Sequence, residues 1–131
     1  MISNFSFPTR IRFGAGAVRE LPEHLKALGV HKPLVVTDPG LLATDAFKAV
    51  EAISRKEWAV FSGVHPNPTI EDVDAATAAY REGKCDSVIA FGGGSALDVG
   101  KANPLSKWTF PFHTGPSVEC SSGSFDATVG R

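Results

Sequence analysis

Cysteine, long apolar runs and an excess of either charge are scarce in this chain. Only 2 of its 131 residues are cysteines, too few to predict a disulfide framework. The formal net charge of -1 gives no electrostatic reason to expect nucleic acid or an anionic membrane as a partner. No run of about 18 apolar residues is present to cross a bilayer. We therefore expect a cytoplasmic protein without a membrane span or a secretory leader.

Three consecutive glycines follow a short apolar run and precede a segment with helical spacing. The run Ser87 to Phe91 predicts a strand, Gly92, Gly93 and Gly94 predict a tight turn, and a helix begins at Ser95. Glycine lets a ligand approach the backbone closely, and the first turn of a helix offers unpaired N–H groups to a phosphate. The pattern is neither G-x-G-x-x-G nor a P-loop. It therefore predicts a phosphate site without naming the nucleotide.

A purely structural interpretation of the same stretch stays open. Ser95 and Asp98 have the S-x-x-D spacing of a capping box, which would explain both polar residues without a ligand. The three glycines could likewise serve only a tight connection between strand and helix.

Helical and strand patterns alternate along most of the chain. This order predicts an α/β fold, a Rossmann-like doubly wound parallel sheet with an N-terminal β-hairpin. The third helix is predicted to start at Thr69 with Asp72 in a capping box, to turn Ile70 inward, and to end near Gly83. The predicted elements are a hairpin in 1–13, helices near 21–28, 42–54, 70–82 and 95–102, and buried strands near 33–37, 58–61 and 86–91.

Asp38 follows the first buried strand, at the edge of the sheet where ligands bind in open α/β folds. A carboxylate there can accept hydrogen bonds from ribose hydroxyls and repel a 2′-phosphate. The sequence Asp38-Pro39-Gly40 is also strong turn chemistry, so a turn or helix cap is the alternative.

The final segment, 103–131, lacks a helical period. Trp108, Phe110 and Phe112 alternate with other residues and predict a short edge strand, and residues 120–124 predict a loop. We divide the chain into a dinucleotide-binding α/β domain, 1–102, and a divergent tail, 103–131. The four histidines are scattered and Cys85 is expected to be a small buried thiol, so no catalytic or metal-binding residues are predicted.

Several ordered motifs together resemble the amino-terminal domain of the iron-containing (group III) alcohol dehydrogenases. The resemblance covers about 100 of the 131 residues and implies an oxidoreductase ancestry. It runs through Phe13-Gly14-Ala15-Gly16-Ala17, Leu21-Pro22, Leu28-Gly29, Val35-Val36-Thr37-Asp38-Pro39-Gly40-Leu41, Pro66-Asn67-Pro68-Thr69, Phe91-Gly92-Gly93-Gly94-Ser95, Asp98 and Lys101-Ala102.

The resemblance implies that the chain binds NAD, with NADP less favoured. By analogy, Gly93, Gly94 and Ser95 would hold the pyrophosphate, and Asp38 would discriminate between the two cofactors. The resemblance further places Asn67 along the cofactor cleft and Asp98 toward the nicotinamide end.

Family members continue into a helical domain that supplies an Asp and three His ligands to a divalent metal, and this sequence shows no such domain. We therefore expect a truncated NAD(P)-binding half with weak or absent activity. The alternative is an assembly module with a vestigial nucleotide site, which would form a homo-oligomer through the face exposed by truncation. A third possibility is an enzyme that binds a different phosphate ligand at the glycine turn.

Overall fold

The structure, a computed structural model, describes residues 16–103 in full and three further strands by their backbone alone. The hairpin predicted in 1–13 and the loop predicted at 120–123 lie outside the described residues. The helices are α1 Leu21–Ala27, α2 Asp45–Ser54, α3 Ile70–Glu82 and α4 Gly94–Ala102, with 3-10 turns at Ala17–Glu20 and Pro39–Leu41. The strands are β1 Pro33–Val36, β2 Ala59–Phe61, β3 Ser87–Gly92, β4 Trp108–His113, β5 Ser124–Phe125 and β6 Thr128–Val129.

The strands form a mixed sheet in the order β2-β1-β3-β4, with these four strands parallel to one another. Strands β5 and β6 then pair with β4 in the antiparallel direction. Strand β1 lies between β2 and β3, so the chain builds outward from β1 on one side and then on the other. This reversal is the topological switch point of a doubly wound sheet.

Helices cover both faces of the sheet, because alternate residues of β1 and β3 point to opposite sides. One cluster joins Val35, Ile89 and Phe91 to α1 and α2, and Phe47 meets Phe91 edge to face at 5.8 Å between ring centres. The other joins Leu34, Val36 and Val88 to α3 and α4. Every residue of β1 and β3 is buried, as expected for continuous apolar strands in a parallel sheet. The predicted Rossmann-like fold is confirmed.

Five local predictions need correction. Strand β2 lies at the edge of the described sheet, so Val60 is 46% exposed rather than buried. Ile70 is the first residue of α3 and is 77% exposed, because the inward face of that helix begins later, at Val73 and Ala76. Helix α2 begins at Asp45, because the 3-10 turn precedes it and Thr44 caps it by accepting the Phe47 N–H.

The fourth correction concerns the strand predicted at the sheet edge near Trp108. Strand β4 forms where it was predicted, but it is not at the edge, since β5 and β6 pair with its far side. Ser124, expected in a loop, belongs to β5. Within the described residues, no helix has both the length and the apolar character that crossing a bilayer requires.

Candidate functional site

A cavity of about 470 Å³ opens at the carboxyl ends of β1 and β3. This volume is within the range typical of small-molecule sites, about 300–1,000 Å³. The cavity lies at the switch point of the sheet, where ligands bind in doubly wound folds. Its lining comes from the turn after β1, the loop after β2 and the start of α4: Asp38, Pro39, Gly40, Val64, His65, Pro66, Gly93, Gly94, Ser95 and Ala96.

The three glycines after β3 have different reasons to be glycine. Gly92 has φ +148°, and a Cβ there would lie 3.0 Å from Leu41 Cδ1 and 3.1 Å from Ala96 Cβ. The fold therefore requires glycine at this position. At Gly93 and Gly94 a Cβ would meet no atom within 4 Å, and Gly93 has an ordinary φ of -84°. Packing does not require glycine at these two positions, so their bare backbone is available to a ligand.

Helix α4 starts without a side-chain cap. Gly93 occupies the cap position, and it provides no side-chain capping hydrogen bond. The first N–H groups of a helix have no intrahelical acceptor, and they carry the positive end of the helix dipole. Because Gly93 and Gly94 leave space above them, an anion can reach these groups.

The capping box that the structural alternative assigned to Ser95 and Asp98 does not form. The Ser95 hydroxyl instead donates a hydrogen bond of 2.6 Å to the Pro66 carbonyl, 29 residues earlier in the chain. This tertiary contact wins over the local one because the loop after β2 packs against the start of α4. It fastens that loop to the glycine turn, and it uses the one hydroxyl proton of Ser95.

Asp38 lies beside the glycine turn, with its Oδ2 atom 3.6 Å from where a Cβ of Gly92 would be. Asp38 occupies the cap position of the 3-10 turn, but its side chain makes no capping hydrogen bond. The cap interpretation therefore does not account for the carboxylate, which lines the cavity. The preceding residue, Thr37, is fully buried, and its hydroxyl has no hydrogen-bond partner among the described residues.

The other predicted site residues stand outside the cavity lining. Asn67 and Asp98 are exposed, on the loop after β2 and on α4. Gly92 is buried at the end of β3. The structure thus brings together Asp38, Gly93, Gly94 and Ser95.

A histidine–aspartate pair at the cavity was missed by the sequence analysis. His65 Nδ1 lies 2.6 Å from Oδ1 of Asp72, a residue that is only 4% exposed. Asp72 Oδ2 also accepts the backbone N–H groups of Thr69 at 3.2 Å and His65 at 3.4 Å. The predicted capping box of Thr69 and Asp72 is confirmed. This box indicated from the sequence that the Asp72 carboxylate would be held in place. Nothing in the pattern indicated that the His65 ring would bind it.

The hydrogen bond from the His65 ring is the chief reason that the pKa of Asp72 lies below its ordinary value; burial acts in the opposite direction. A carboxyl whose pKa is lower in the folded state stabilises the fold above its unfolded pKa, and that contribution is lost as the pH falls through the folded pKa. We expect Asp72→Asn to flatten the decline of unfolding free energy between about pH 5 and pH 2. Urea unfolding across this range measures it.

The matched control for this prediction is Asp74→Asn, a change at an exposed position of the same helix. The wild type and Asp74→Asn should lose stability with the same slope as the pH falls. A slope for Asp72→Asn equal to theirs would contradict the prediction.

The described residues offer little for nucleophilic or metal chemistry. Cys85 is half-buried, and burial is the main cause that raises the pKa of its thiol, so the reactive thiolate is disfavoured. Within 16–103 and the described strands, no three His, Cys, Asp or Glu side chains come together as a possible metal site.

The parallel sheet, the helices on both faces and a glycine turn at the switch point define a Rossmann-like α/β domain. Residues 8–106 match the sequence pattern described as "Iron-containing alcohol dehydrogenase". The chain belongs to the iron-containing alcohol dehydrogenase family.

Individual relatives show how much of a family member this chain spans. It is 39% identical over 101 residues to choline dehydrogenase of Bacillus subtilis (strain 168), covering 75% of this chain and 25% of that protein. The sulfoacetaldehyde reductase of Bifidobacterium kashiwanohense in complex with NAD+ is 35% identical, with a TM-score of 0.65 over 79% of this chain and 28% of that one. The NADH-dependent butanol dehydrogenase A of Thermotoga maritima is 34% identical, with a TM-score of 0.67 over 76% of this chain and 27% of that one. The chain thus spans about a quarter of the length of the curated relatives.

Proposed function

We propose that this chain is the NAD-binding half of an iron-type alcohol dehydrogenase and binds the cofactor in the cavity at the switch point. The observation that carries the proposal is the open space above Gly93 and Gly94. These residues start an uncapped helix, and packing does not require them to be glycine. Two solved relatives, one in complex with NAD+ and the other NADH-dependent, support a dinucleotide over other phosphate ligands.

Each part of the cavity suits one part of a dinucleotide. The N–H groups at the start of α4 would bind the pyrophosphate, with Gly93 and Gly94 giving it room. The Asp38 carboxylate would accept hydrogen bonds from ribose hydroxyls, as acidic residues at this edge do in Rossmann folds. Ser95 would contribute its backbone N–H, because its hydroxyl already binds Pro66. Asn67 and Asp98 would meet the cofactor where it extends beyond the cavity.

The chemistry that NAD supplies when bound is acceptance of a hydride from an alcohol carbon. In family members a divalent metal polarises the alcohol oxygen so that the hydride can leave. The described residues do not fit such a metal, since no three potential ligands converge, and we derive no metal-dependent step. The proposal is therefore cofactor binding with weak or no alcohol oxidation by this chain alone.

Calorimetric titration of the chain with NADH tests the proposal, together with an assay of ethanol and propanediol oxidation in added iron or zinc. Saturable NADH binding without turnover is the expected result. Turnover would overturn the statement about activity. Absence of NADH binding would overturn the proposal and leave the glycine turn as a structural connection.

Cofactor preference should depend on Asp38. Replacing it by glycine removes a negative charge that would stand close to the 2′-phosphate of NADP. The repulsion between two such negative charges is about 1 kcal/mol in water and about 4 kcal/mol near a protein surface. We therefore expect Asp38→Gly to shift the NADP/NAD affinity ratio about tenfold toward NADP. Parallel titrations with NADH and NADPH measure the ratio.

Asp38→Asn is the control, because it removes the charge while keeping a polar turn residue. It should move the ratio in the same direction as Asp38→Gly. If both variants keep the wild-type ratio, Asp38 is only a turn residue.

A self-associating module is the second candidate function. Leu42 and Ile70 are 37% and 77% exposed, and they lie after β1 and β2 at the carboxyl edge of the sheet, next to the loops that line the cavity. Apolar side chains exposed at the same edge of the sheet favour docking of another chain. Light scattering with and without NAD distinguishes the two candidates. A homo-oligomer that forms equally with and without NAD, and that dissociates in the Ile70→Ser variant, would favour the module.

A further inference from the structure

His65 is held in one orientation at the cavity by a carboxylate that is itself fixed. Asp72 accepts hydrogen bonds from the His65 ring and from two backbone N–H groups, and only 4% of it is exposed. A carboxylate accepts but cannot donate while ionised, so the proton of this pair is on His65 Nδ1. The remaining ring nitrogen, Nε2, is the one available to a ligand.

The ring shares the cavity with the start of α4. His65 lines it together with Gly93 and Gly94, and 73% of the His65 side chain is exposed. The neighbouring residue, Pro66, accepts the 2.6 Å hydrogen bond from Ser95 in the first turn of α4. This bond keeps the His65 loop beside the N–H groups that would bind a phosphate.

Carboxylates lie on each of the elements next to this loop. Asp38 lines the same cavity from the turn after β1, Glu71 and Asp72 belong to the start of α3, and Asp98 lies on α4. Unlike aspartate and glutamate, histidine ordinarily changes charge between about pH 5 and pH 8. A second proton on the ring converts the His65–Asp72 pair from one net negative charge to none, which favours an anion nearby.

We infer that His65 is a phosphate-binding residue whose protonated Nε2 donates a hydrogen bond to the pyrophosphate, so that dinucleotide affinity rises as the pH falls. This inference rests on the proposed function, because it needs a dinucleotide in the cavity. Asp72 is then a positioning residue that acts through the His65 ring. The pyrophosphate of NAD keeps its charge throughout this range, so the pH dependence comes from the protein.

The test is calorimetric titration with NAD at pH 6, 7 and 8 at constant ionic strength. A charge-assisted contact at a partly exposed site predicts about fivefold to tenfold tighter binding at pH 6 than at pH 8. His65→Gln should bind with nearly the same affinity at all three values. His65→Lys, which carries its charge throughout, should bind tightly and equally at pH 6 and pH 8. Thermal unfolding of each variant at pH 7 confirms that it is folded.

The matched control is His31→Gln, an exposed histidine before β1 at the opposite edge of the sheet. It should keep the pH dependence of the wild type. Saturable binding with no pH dependence in the wild type, or unchanged pH dependence in His65→Gln, would overturn the role of His65 alone. Failure of the wild type to bind NAD at every pH would overturn the proposed function as well, so the two failures are distinguishable.

Discussion

Replacing Gly94 by valine is expected to raise the dissociation constant for NADH about 100-fold, equivalent to about 2.7 kcal/mol. Gly94 is the first residue of α4, and its missing Cβ faces open space. A valine side chain would fill the space through which, in the proposed function, the pyrophosphate would approach the helix N–H groups. The fold should tolerate the change, because the new Cβ meets no atom within 4 Å.

Ala102→Val is the matched control for this experiment. It places the same side chain at the exposed far end of the same helix, away from the cavity. It should leave NADH affinity unchanged. Full binding by a folded Gly94→Val variant would place the pyrophosphate somewhere other than the start of α4.

Gly100→Ala is expected to destabilise the fold, although alanine is the better helix former. Gly100 is buried where α4 crosses β3, and a Cβ there would lie 2.6 Å from Ala90 Cβ and 3.4 Å from Val88 Cγ1. Overpacking of this kind costs about 1–3 kcal/mol, against a gain of about 1 kcal/mol in helix propensity. If overpacking costs about 3 kcal/mol, the net loss in unfolding free energy is about 2 kcal/mol after the gain in helix propensity. Urea denaturation measures it.

Gly94→Ala provides the control with the opposite sign, since it makes the same substitution in the same helix where space is open. It should stabilise the chain by about 0.4–1 kcal/mol. The double variant Ala90→Gly with Gly100→Ala should recover part of the loss, because it removes the atom that the new Cβ meets. Equal stabilisation by Gly100→Ala and Gly94→Ala would show that α4 can move away from β3 at little cost.

The sequence predicted the elements that depend on local pattern. The apolar run at Leu34 to Val36 is buried on both faces, and α3 starts at the Thr69 cap and ends at Glu82, before Gly83. The glycine turn connects β3 to α4 where expected. Each of these features depends on the period of the apolar residues, on caps or on glycine, all of which are visible in a few neighbouring residues.

The errors arose where contacts between distant parts of the chain determine the burial or pairing of a residue. Val60 is half-exposed because strand order, which no local pattern contains, puts β2 at the edge of the described sheet. Strand β4 is covered because β5 and β6 return to pair with it. The structural alternative for Ser95, a capping box, failed for the same reason, because the fold brings the Pro66 carbonyl within 2.6 Å of the Ser95 hydroxyl.

For the candidate site, the sequence predicted that Asp38 and the glycine turn lie together, but it also included Asn67 and Asp98, which lie outside the cavity lining. Asp38 and the glycines follow neighbouring parallel strands, so their proximity follows from the fold class. The pairing of His65 with Asp72 requires the loop after β2 to fold back onto α3, and a spacing of seven residues does not indicate this. The distinction between Gly92 and Gly94 likewise needed the space around each residue.

The hydrogen bond between Ser95 and Pro66 has a consequence for the entropy of binding. Loops that close over a ligand ordinarily lose conformational freedom when it arrives, which lowers affinity. Here the loop after β2 is already fastened to the start of α4, and the His65 ring to Asp72. Most of this ordering therefore occurs when the chain folds, and a dinucleotide that binds as proposed would meet a preorganised surface.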